Sequence, residues 1–145
     1  TALLYYLNSF CVNFHRSGFG LMRIILADHH GQSLWALKTL LQEEPELDLI
    51  GVAEDAGSLL ALAKNHTADL FLVERKLPGN PIEDLIHRLH ALQPRPFVVV
   101  MSSEFEYSRM LLKAGADAFV SKGDQPDWLL ETLHKFKKRN RNESK

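Results

Sequence analysis

Cysteine, glycine and proline are scarce in this chain of 145 residues. The single cysteine, Cys11, cannot form a disulfide within the chain, so the sequence requires no oxidising compartment and the cytoplasm is the expected location. Eight glycines and six prolines are too few for a collagenous or low-complexity protein. Apolar residues make up 46% and charged residues 24% of the chain, which is typical of globular proteins. We therefore expect one soluble domain with its own core.

A long uninterrupted hydrophobic run is also missing. The most apolar stretch, residues 2 to 14, is interrupted by three polar residues and is shorter than the roughly 20 residues that cross a bilayer. It lacks the basic start of a secretory signal, so we expect neither a signal peptide nor a membrane span. Because Met22 stands directly before the first strand-like run, residues 1 to 21 are predicted to be a non-native or upstream leader. The alternative is an amphipathic helix that packs on the domain or mediates self-association.

The net charge of -1 hides an uneven distribution of charge. Residues 22 to 134 contain 10 basic and 17 acidic residues, a net charge of -7, whereas residues 135 to 145 contain six basic and one acidic residue, a net charge of +5. We predict a folded body over residues 22 to 138 and a basic tail over residues 139 to 145. Clustered cations can bind nucleic acid, but they also complement the dipole at the C-terminal end of a helix, which is the favoured interpretation. Nucleic-acid binding by this domain alone is therefore not expected.

Short apolar runs alternate along the body with longer segments of helical periodicity, a pattern typical of strand-helix units that build a parallel sheet. The five runs are Arg23 to Ala27, Leu49 to Ala53, Leu70 to Val73, Phe97 to Met101 and Ala118 to Val120. Apolar residues at helical spacing mark the five helices that follow them, and those of the fourth helix are Tyr107, Met110, Leu111 and Ala114. We therefore predict an α/β fold with a doubly wound, five-stranded parallel sheet.

In such a sheet the ligand site lies beyond the carboxyl ends of the strands. The side chains that directly follow the runs include carboxylates, a histidine, a hydroxyl and a lysine: Asp28, His29, Glu74, Ser102 and Lys122. No glycine-rich phosphate loop follows the first run. The common patterns of nucleophilic and zinc-dependent hydrolases are also missing. An enzyme or nucleotide-binding protein of flavodoxin type is therefore the disfavoured alternative.

Four segments carry a resemblance to a known family: IILADHH at 24 to 30, DLFLVERKLPG at 69 to 79, VVVMSS at 98 to 103 and KAGADAFVSK at 113 to 122. With these segments in this order, residues 22 to 138 resemble the receiver domain of two-component response regulators, of the CheY type and most closely of the NarL/LuxR group. The resemblance implies a flavodoxin-like (βα)5 fold with strand order 2-1-3-4-5. It also implies a function in phosphorelay signal transduction of the bacterial type. The module is then expected to be cytoplasmic and not an enzyme.

Glu74 stands where the family has its phosphoacceptor aspartate. The longer side chain spoils the in-line positioning on which phosphoryl transfer depends, so we predict a pseudo-receiver that acts through protein-protein interaction without phosphorylation. Glu74 either mimics the charge of a phosphorylated state or is an idle acid at a strand end. Two alternatives keep phosphorylation: a phosphorylatable NarL/LuxR-type receiver without its output domain here, and phosphate transfer to a neighbour such as Ser102 or His30.

The resemblance places the family's metal site at Asp28, His29, Glu74 and the backbone oxygen of Lys76. Asp28 matches the first of the family's two acids, but His29 replaces the second, and Mg²⁺ prefers oxygen ligands. We therefore expect Mg²⁺ binding to be weak or absent. A hydrogen-bonded pair between His29 and an acid is the favoured interpretation, and binding of Zn²⁺ or another transition metal by the three side chains is the alternative.

Ser102, Phe119 and Lys122 match the family's switch hydroxyl, switch aromatic and pocket lysine. If Lys122 pairs with Glu74 and Ser102 donates a hydrogen bond to Glu74, the surface of the fourth helix, fifth strand and fifth helix is held in one state. The other candidate partner of Lys122 is Asp28. Phe119 lacks a hydroxyl, so an inward, buried position is expected for it. The resemblance implies a protein partner on that surface, either a sensor kinase or an output protein, or else a homodimer, and no membrane.

Overall fold

Five strands and five helices alternate along the chain in the computed structural model, which describes residues 20 to 143. The strands are β1 (Met22–Ala27), β2 (Leu47–Ala53), β3 (Leu70–Glu74), β4 (Phe97–Ser102) and β5 (Ala118–Ser121). The helices are α1 (Gly31–Glu43), α2 (Ala56–Asn65), α3 (Ile82–His90), α4 (Ser108–Lys113) and α5 (Pro126–Glu143). A short 3-10 helix, Phe105–Tyr107, precedes α4.

The strands form one parallel sheet in the order β2-β1-β3-β4-β5. This order and the α/β fold confirm the predicted fold class. The reversal of strand order occurs beside β1, because the chain moves outward from β1 to β2 and then returns across β1 to β3. All five residues of β3 are buried, as expected for a central strand that is covered on both faces.

Alternate residues of each strand serve two separate cores, one on each face of the sheet. Ile25 and Phe71 belong to the core that α2, α3 and α4 cover, whereas Ile24 and Leu72 belong to the core that α1 and α5 cover. Helix α3 contributes four buried apolar side chains to the first core, and α5 contributes three to the second. The two-sided burial explains why the strands are recognisable as continuous apolar runs.

The structure shifts several of the predicted boundaries. Strand β2 begins two residues earlier than its apolar run, at Leu47, and β3 extends to the polar residue Glu74. Tyr107, predicted to lie in the fourth helix, belongs instead to the 3-10 helix, so α4 has only six residues. Helix α4 ends at Lys113, and Gly115 follows its C-cap with a φ of 108°, in the left-handed region that favours glycine.

The predicted leader and tail lie at the two ends of this fold. Residues 1 to 19 of the leader, with Cys11, lie outside the described residues. Helix α5 continues to Glu143, so residues 139 to 143 of the predicted basic tail are helical. Among residues 20 to 143, no helix combines the length and the apolar character that crossing a membrane requires.

Candidate functional site

The carboxyl edge of the sheet brings together the side chains that the sequence singles out. Ala27 of β1 pairs with Val73 of β3, so the residues that follow them, Asp28 and Glu74, are neighbours. On the other side of β3, β4 and β5 are paired at Ser102 and Ser121, and Lys122 follows directly. Strand order alone therefore explains why these side chains lie at one edge of the sheet.

Asp28 is the most buried group of this edge, with a relative exposure of 0%. Its Oδ1 accepts the His30 N–H at 2.9 Å, and its Oδ2 accepts the Ser33 hydroxyl at 2.7 Å and the Lys122 ammonium at 2.5 Å. Burial raises the pKa of the Asp28 carboxyl, but the hydrogen bonds from Lys122, His30 and Ser33 outweigh it, and the net pKa lies below its usual value. Asp28 is thus held as a charged acceptor.

Glu74 faces His29 rather than a cation of the pocket. The distance from His29 Nδ1 to Glu74 Oε2 is 3.2 Å, and the two side chains are 31% and 5% exposed. Although this contact is short, its geometry does not meet that of a hydrogen bond, and both atoms are buried without a hydrogen-bond partner in the described part of the chain. His29 also lies against the ring of His30, at 3.9 Å between ring centroids.

Of its two candidate partners, Glu74 and Asp28, Lys122 contacts Asp28. Among the described residues no ion pair joins Lys122 to Glu74. Ser102 does not donate to Glu74 there either: its hydroxyl oxygen accepts the Glu104 N–H at 3.0 Å and the Arg75 Nε–H at 3.4 Å. The two contacts that would make Glu74 a bound mimic of a phosphoryl group are therefore not formed.

Arg75 organises the loop after β4, a role that sequence reasoning missed. Its guanidinium stacks on the Tyr107 ring at 3.6 Å and donates to Glu104 Oε1 at 3.1 Å, in addition to Ser102. Lys76 Nζ lies 2.6 Å from the same Glu104 oxygen, and the hydrogen bond from Lys76 is the main cause that lowers the pKa of the Glu104 carboxyl. We call Arg75, Lys76 and Glu104 the loop clamp. The only signal in the sequence was a pair of cations directly after Glu74.

Phe119 is half-buried and packs against the core beneath α4. Its ring meets the Phe105 ring edge-on, with 6.1 Å between the centroids. Phe105 itself is 71% exposed. The inward position expected for Phe119 is thus only partly reached, because the aromatic ring lies between the core and an exposed neighbour.

Mg²⁺ is the ion that a fold of this kind implies at the edge, but the side chains present do not fit it. The ligand atoms of Asp28, His29 and Glu74 lie within 4.8 Å of one another, yet one of them is an imidazole nitrogen. Mg²⁺ requires a near-octahedral set of oxygen ligands, which the imidazole of His29 does not supply. Lys76 directs its side chain to Glu104, and a metal-binding role for its backbone oxygen stays a prediction.

A second group of histidines, on α3, does not form a metal site in the described part of the chain. His90 Nε2 lies 2.8 Å from Asp117 Oδ2, which also accepts the Val98 N–H at 2.8 Å. His87 is exposed on the same helix. The Asp28, His29 and Glu74 cluster is the one group of three or more potential ligands found among the described residues.

Comparison with known proteins agrees with this fold. A sequence model of the response regulator receiver domain matches residues 24 to 134, and the chain belongs to this family. It is a response regulator receiver domain, a module of two-component signal transduction.

Two curated relatives are regulators of Escherichia coli K12. The nitrate/nitrite response regulator protein NarL is 32% identical over 113 residues, which cover 77% of this chain and 52% of NarL. The Fimbriae Z protein is 29% identical over 107 residues, which cover 72% of this chain and 51% of that protein. The chain thus spans about half the length of these relatives.

Solved structures give the same fold. A CheY-like receiver domain from Methanospirillum hungatei JF-1 has a TM-score of 0.74 and 30% identity, over 85% of this chain and 98% of that one. RcsB from Salmonella enterica serovar Typhimurium, bound to promoter rprA with the phosphomimetic BeF3-, has a TM-score of 0.73 and 20% identity, over 81% of this chain and 61% of RcsB. The likeness to RcsB concerns the fold alone.

Proposed function

We propose that this receiver acts without phosphorylation, as a pseudo-receiver that signals by binding a protein partner in the cytoplasm. The observation that carries the proposal is the contact between Glu74 and His29 at 3.2 Å, in a pocket whose lysine is bound to Asp28. Phosphoryl transfer relies on positioning and charge neutralisation, and here the groups that provide them are engaged elsewhere. On this proposal the module is not an enzyme and needs no Mg²⁺.

The contacts of the pocket support an idle Glu74 over a permanent mimic of phosphorylation. A mimic depends on cation and hydroxyl partners for its added charge. Lys122 contacts Asp28, and Ser102 accepts hydrogen bonds from Arg75 and Glu104. The output surface is then set by the loop clamp instead of by the residue at the acceptor position.

Exposed apolar side chains support a partner surface on α4, β5 and α5. Among the described residues, four of the five exposed large hydrophobic side chains lie in the segment from 105 to 128, namely Phe105, Met110, Leu112 and Trp128. Large apolar side chains exposed together are typical of protein-binding surfaces. A sensor kinase or an output protein is the proposed occupant, and a second copy of the chain is an alternative that the test below distinguishes.

Beryllofluoride with Mg²⁺ tests the phosphorylation-independent part of the proposal. The exposed indoles of Trp35 on α1 and Trp128 on α5 serve as the emission probes. The expected result is an unchanged emission spectrum over a titration that changes the emission of a phosphorylatable receiver measured in parallel. A saturable change that requires both Mg²⁺ and beryllofluoride would overturn the proposal.

A photo-crosslinking amino acid, incorporated into the chain at a chosen position, tests the partner surface in the cells that express the protein. Position 112 on α4 is compared with position 64, an exposed lysine on α2 that serves as the matched control. The proposal expects crosslinked protein adducts at 112 in clear excess over 64. Equal yields would reject this surface, and an adduct of twice the chain mass would identify a homodimer.

A second candidate function is a phosphorylatable NarL/LuxR-type receiver that belongs to a longer regulator. The observation that favours it is the coverage of only 52% of NarL, together with a final helix that continues to Glu143. On this candidate, phosphate reaches the pocket or a neighbour such as His30 or Ser102. His30 is exposed, whereas Ser102 is 1% exposed, so a phosphopeptide map after treatment with a cognate kinase separates these two acceptors.

A further inference from the structure

We infer that Asp28, His29 and Glu74 form a binding site for a divalent transition metal ion, of the class of Zn²⁺ and Co²⁺. The inference uses the misfit of Mg²⁺ described above and does not depend on whether the domain is phosphorylated. It assigns the pocket a ligand class that differs from the one its fold implies.

The ligand atoms already have nearly the spacing of ligands on one metal ion. Tetrahedral bonds of about 2.0 to 2.1 Å place two ligand atoms about 3.3 Å apart. The distance from His29 Nδ1 to Glu74 Oε2 is 3.2 Å, so this pair already has the separation of two ligands on one ion. All three ligand atoms lie within 4.8 Å of one another. To reach the spacing of a tetrahedral site, any two of them therefore have to move closer together by roughly 1.5 Å at most.

Two buried polar atoms of the cluster lack hydrogen-bond partners among the described residues. Glu74 is only 3% exposed, and neither its Oε2 nor His29 Nδ1 has a hydrogen-bond partner among the described residues. Buried polar atoms in folded proteins are nearly always paired, so two such atoms directed at each other indicate a bound species between them. A cation satisfies both atoms at once, because the Glu74 carboxylate and the Nε2–H tautomer of His29 each present a lone pair.

The types of ligand atom in the cluster also favour a transition metal ion. One imidazole and two carboxylates suit Zn²⁺ and its transition-metal neighbours, and a fourth position is left for water. Asp28 keeps one oxygen that can bind a metal ion in spite of Lys122. The Lys122 ammonium contacts Oδ2, whereas Oδ1 accepts only the His30 N–H among the described contacts. His29 is 31% exposed, which leaves a path for the ion from solvent.

Titration of the full chain with CoCl2 alone tests the site, with visible absorption as the readout and ZnCl2 as competitor. The expected result is one Co²⁺ per chain with an absorption spectrum typical of nitrogen and oxygen ligands, displaced by Zn²⁺ and not by an equal concentration of Mg²⁺. His29→Ala is expected to weaken Co²⁺ binding by about 10-fold or more, because even outer-shell partners of metal ligands are worth about 10- to 100-fold.

His87→Ala is the matched control, since it removes an exposed histidine outside the pocket. It is expected to leave the affinity for Co²⁺ unchanged. Glu74→Gln, which keeps the side-chain length, provides a second pocket variant in case His29→Ala unfolds, as judged by circular dichroism. Folded pocket variants that bind Co²⁺ like the wild type, an equal loss in His87→Ala, or displacement by equimolar Mg²⁺ would each overturn the inference.

Discussion

Lys122 donates to Asp28 across 94 positions of sequence, with 2.5 Å between Nζ and Oδ2. This ion pair joins the end of β5 to the end of β1 across the carboxyl edge of the sheet. It satisfies the fully buried carboxylate and withholds the ammonium from Glu74. The state of the pocket therefore depends on which acid holds this lysine.

Lys122→Met is expected to lower the free energy of unfolding by about 3 kcal/mol at neutral pH, because it leaves the Asp28 carboxylate buried without its cation. Urea unfolding followed by circular dichroism measures the change. In the double variant Lys122→Met with Asp28→Asn the charge is removed together with its partner, so part of the loss is expected to be recovered. Strict additivity of the two single changes would show that the pair is not coupled.

Acid is expected to destabilise the domain through Asp28. The pKa of Asp28 is lowered in the folded state, so this carboxylate stabilises the fold at and above about pH 4 and the contribution is lost as the pH falls through the lowered pKa. The midpoint of thermal unfolding between pH 2 and 7 measures this effect. Asp28→Asn is expected to flatten the acidic limb of that profile, and a limb as steep as in the wild type would assign the acid sensitivity to other carboxyls.

Arg75→Ala is expected to loosen the loop from Ser103 to Tyr107. The side chain is only 14% exposed, and its loss removes the stacking on Tyr107 and the hydrogen bonds to Ser102 and Glu104. We expect faster amide hydrogen exchange across this loop and a fall of about 1 kcal/mol in the free energy of unfolding.

Lys76→Ala is the matched control for Arg75→Ala. It also removes an ion pair to Glu104, but the Lys76 side chain is 54% exposed, and solvent weakens such a pair. Exchange rates in the loop are expected to stay close to those of the wild type. Equal effects of the two variants would mean that charge at Glu104, rather than the buried contacts of Arg75, holds the loop.

The fold was predictable from the sequence because strands that are buried on both faces consist of consecutive apolar residues. The five runs were correctly placed, and polar residues at the strand ends, such as Glu74, account for the small boundary shifts. The side chains of the edge were predictable for a similar reason, since parallel strands end together. Tyr107 was misplaced because its helical spacing continues into α4, whereas its ring is held by Arg75 in the preceding turn.

The pairings inside the pocket were not predictable in the same way. Both candidate partners of Lys122 are acids at the same edge, and only the distances in the folded chain distinguish them. Arg75 reaches partners 27 and 29 positions away, which no local pattern indicates. Residue type and strand order define which groups meet, whereas side-chain geometry decides which of them bind.

Restoration of the family's acids provides the positive control for the central claim. His29→Asp combined with Glu74→Asp replaces the imidazole nitrogen by an oxygen ligand and returns the shorter acceptor to the pocket. We expect this double variant to gain a phosphoryl group from acetyl phosphate in the presence of Mg²⁺, because acceptor position and metal charge are then both supplied.

The most direct test is the intact mass of the wild-type chain after incubation with acetyl phosphate and Mg²⁺, measured beside that double variant. The proposed pseudo-receiver mechanism predicts that the wild-type mass is unchanged under conditions in which the variant gains a phosphoryl group. A phosphoryl group on the wild-type chain, whether at Glu74, His30 or Ser102, would contradict it.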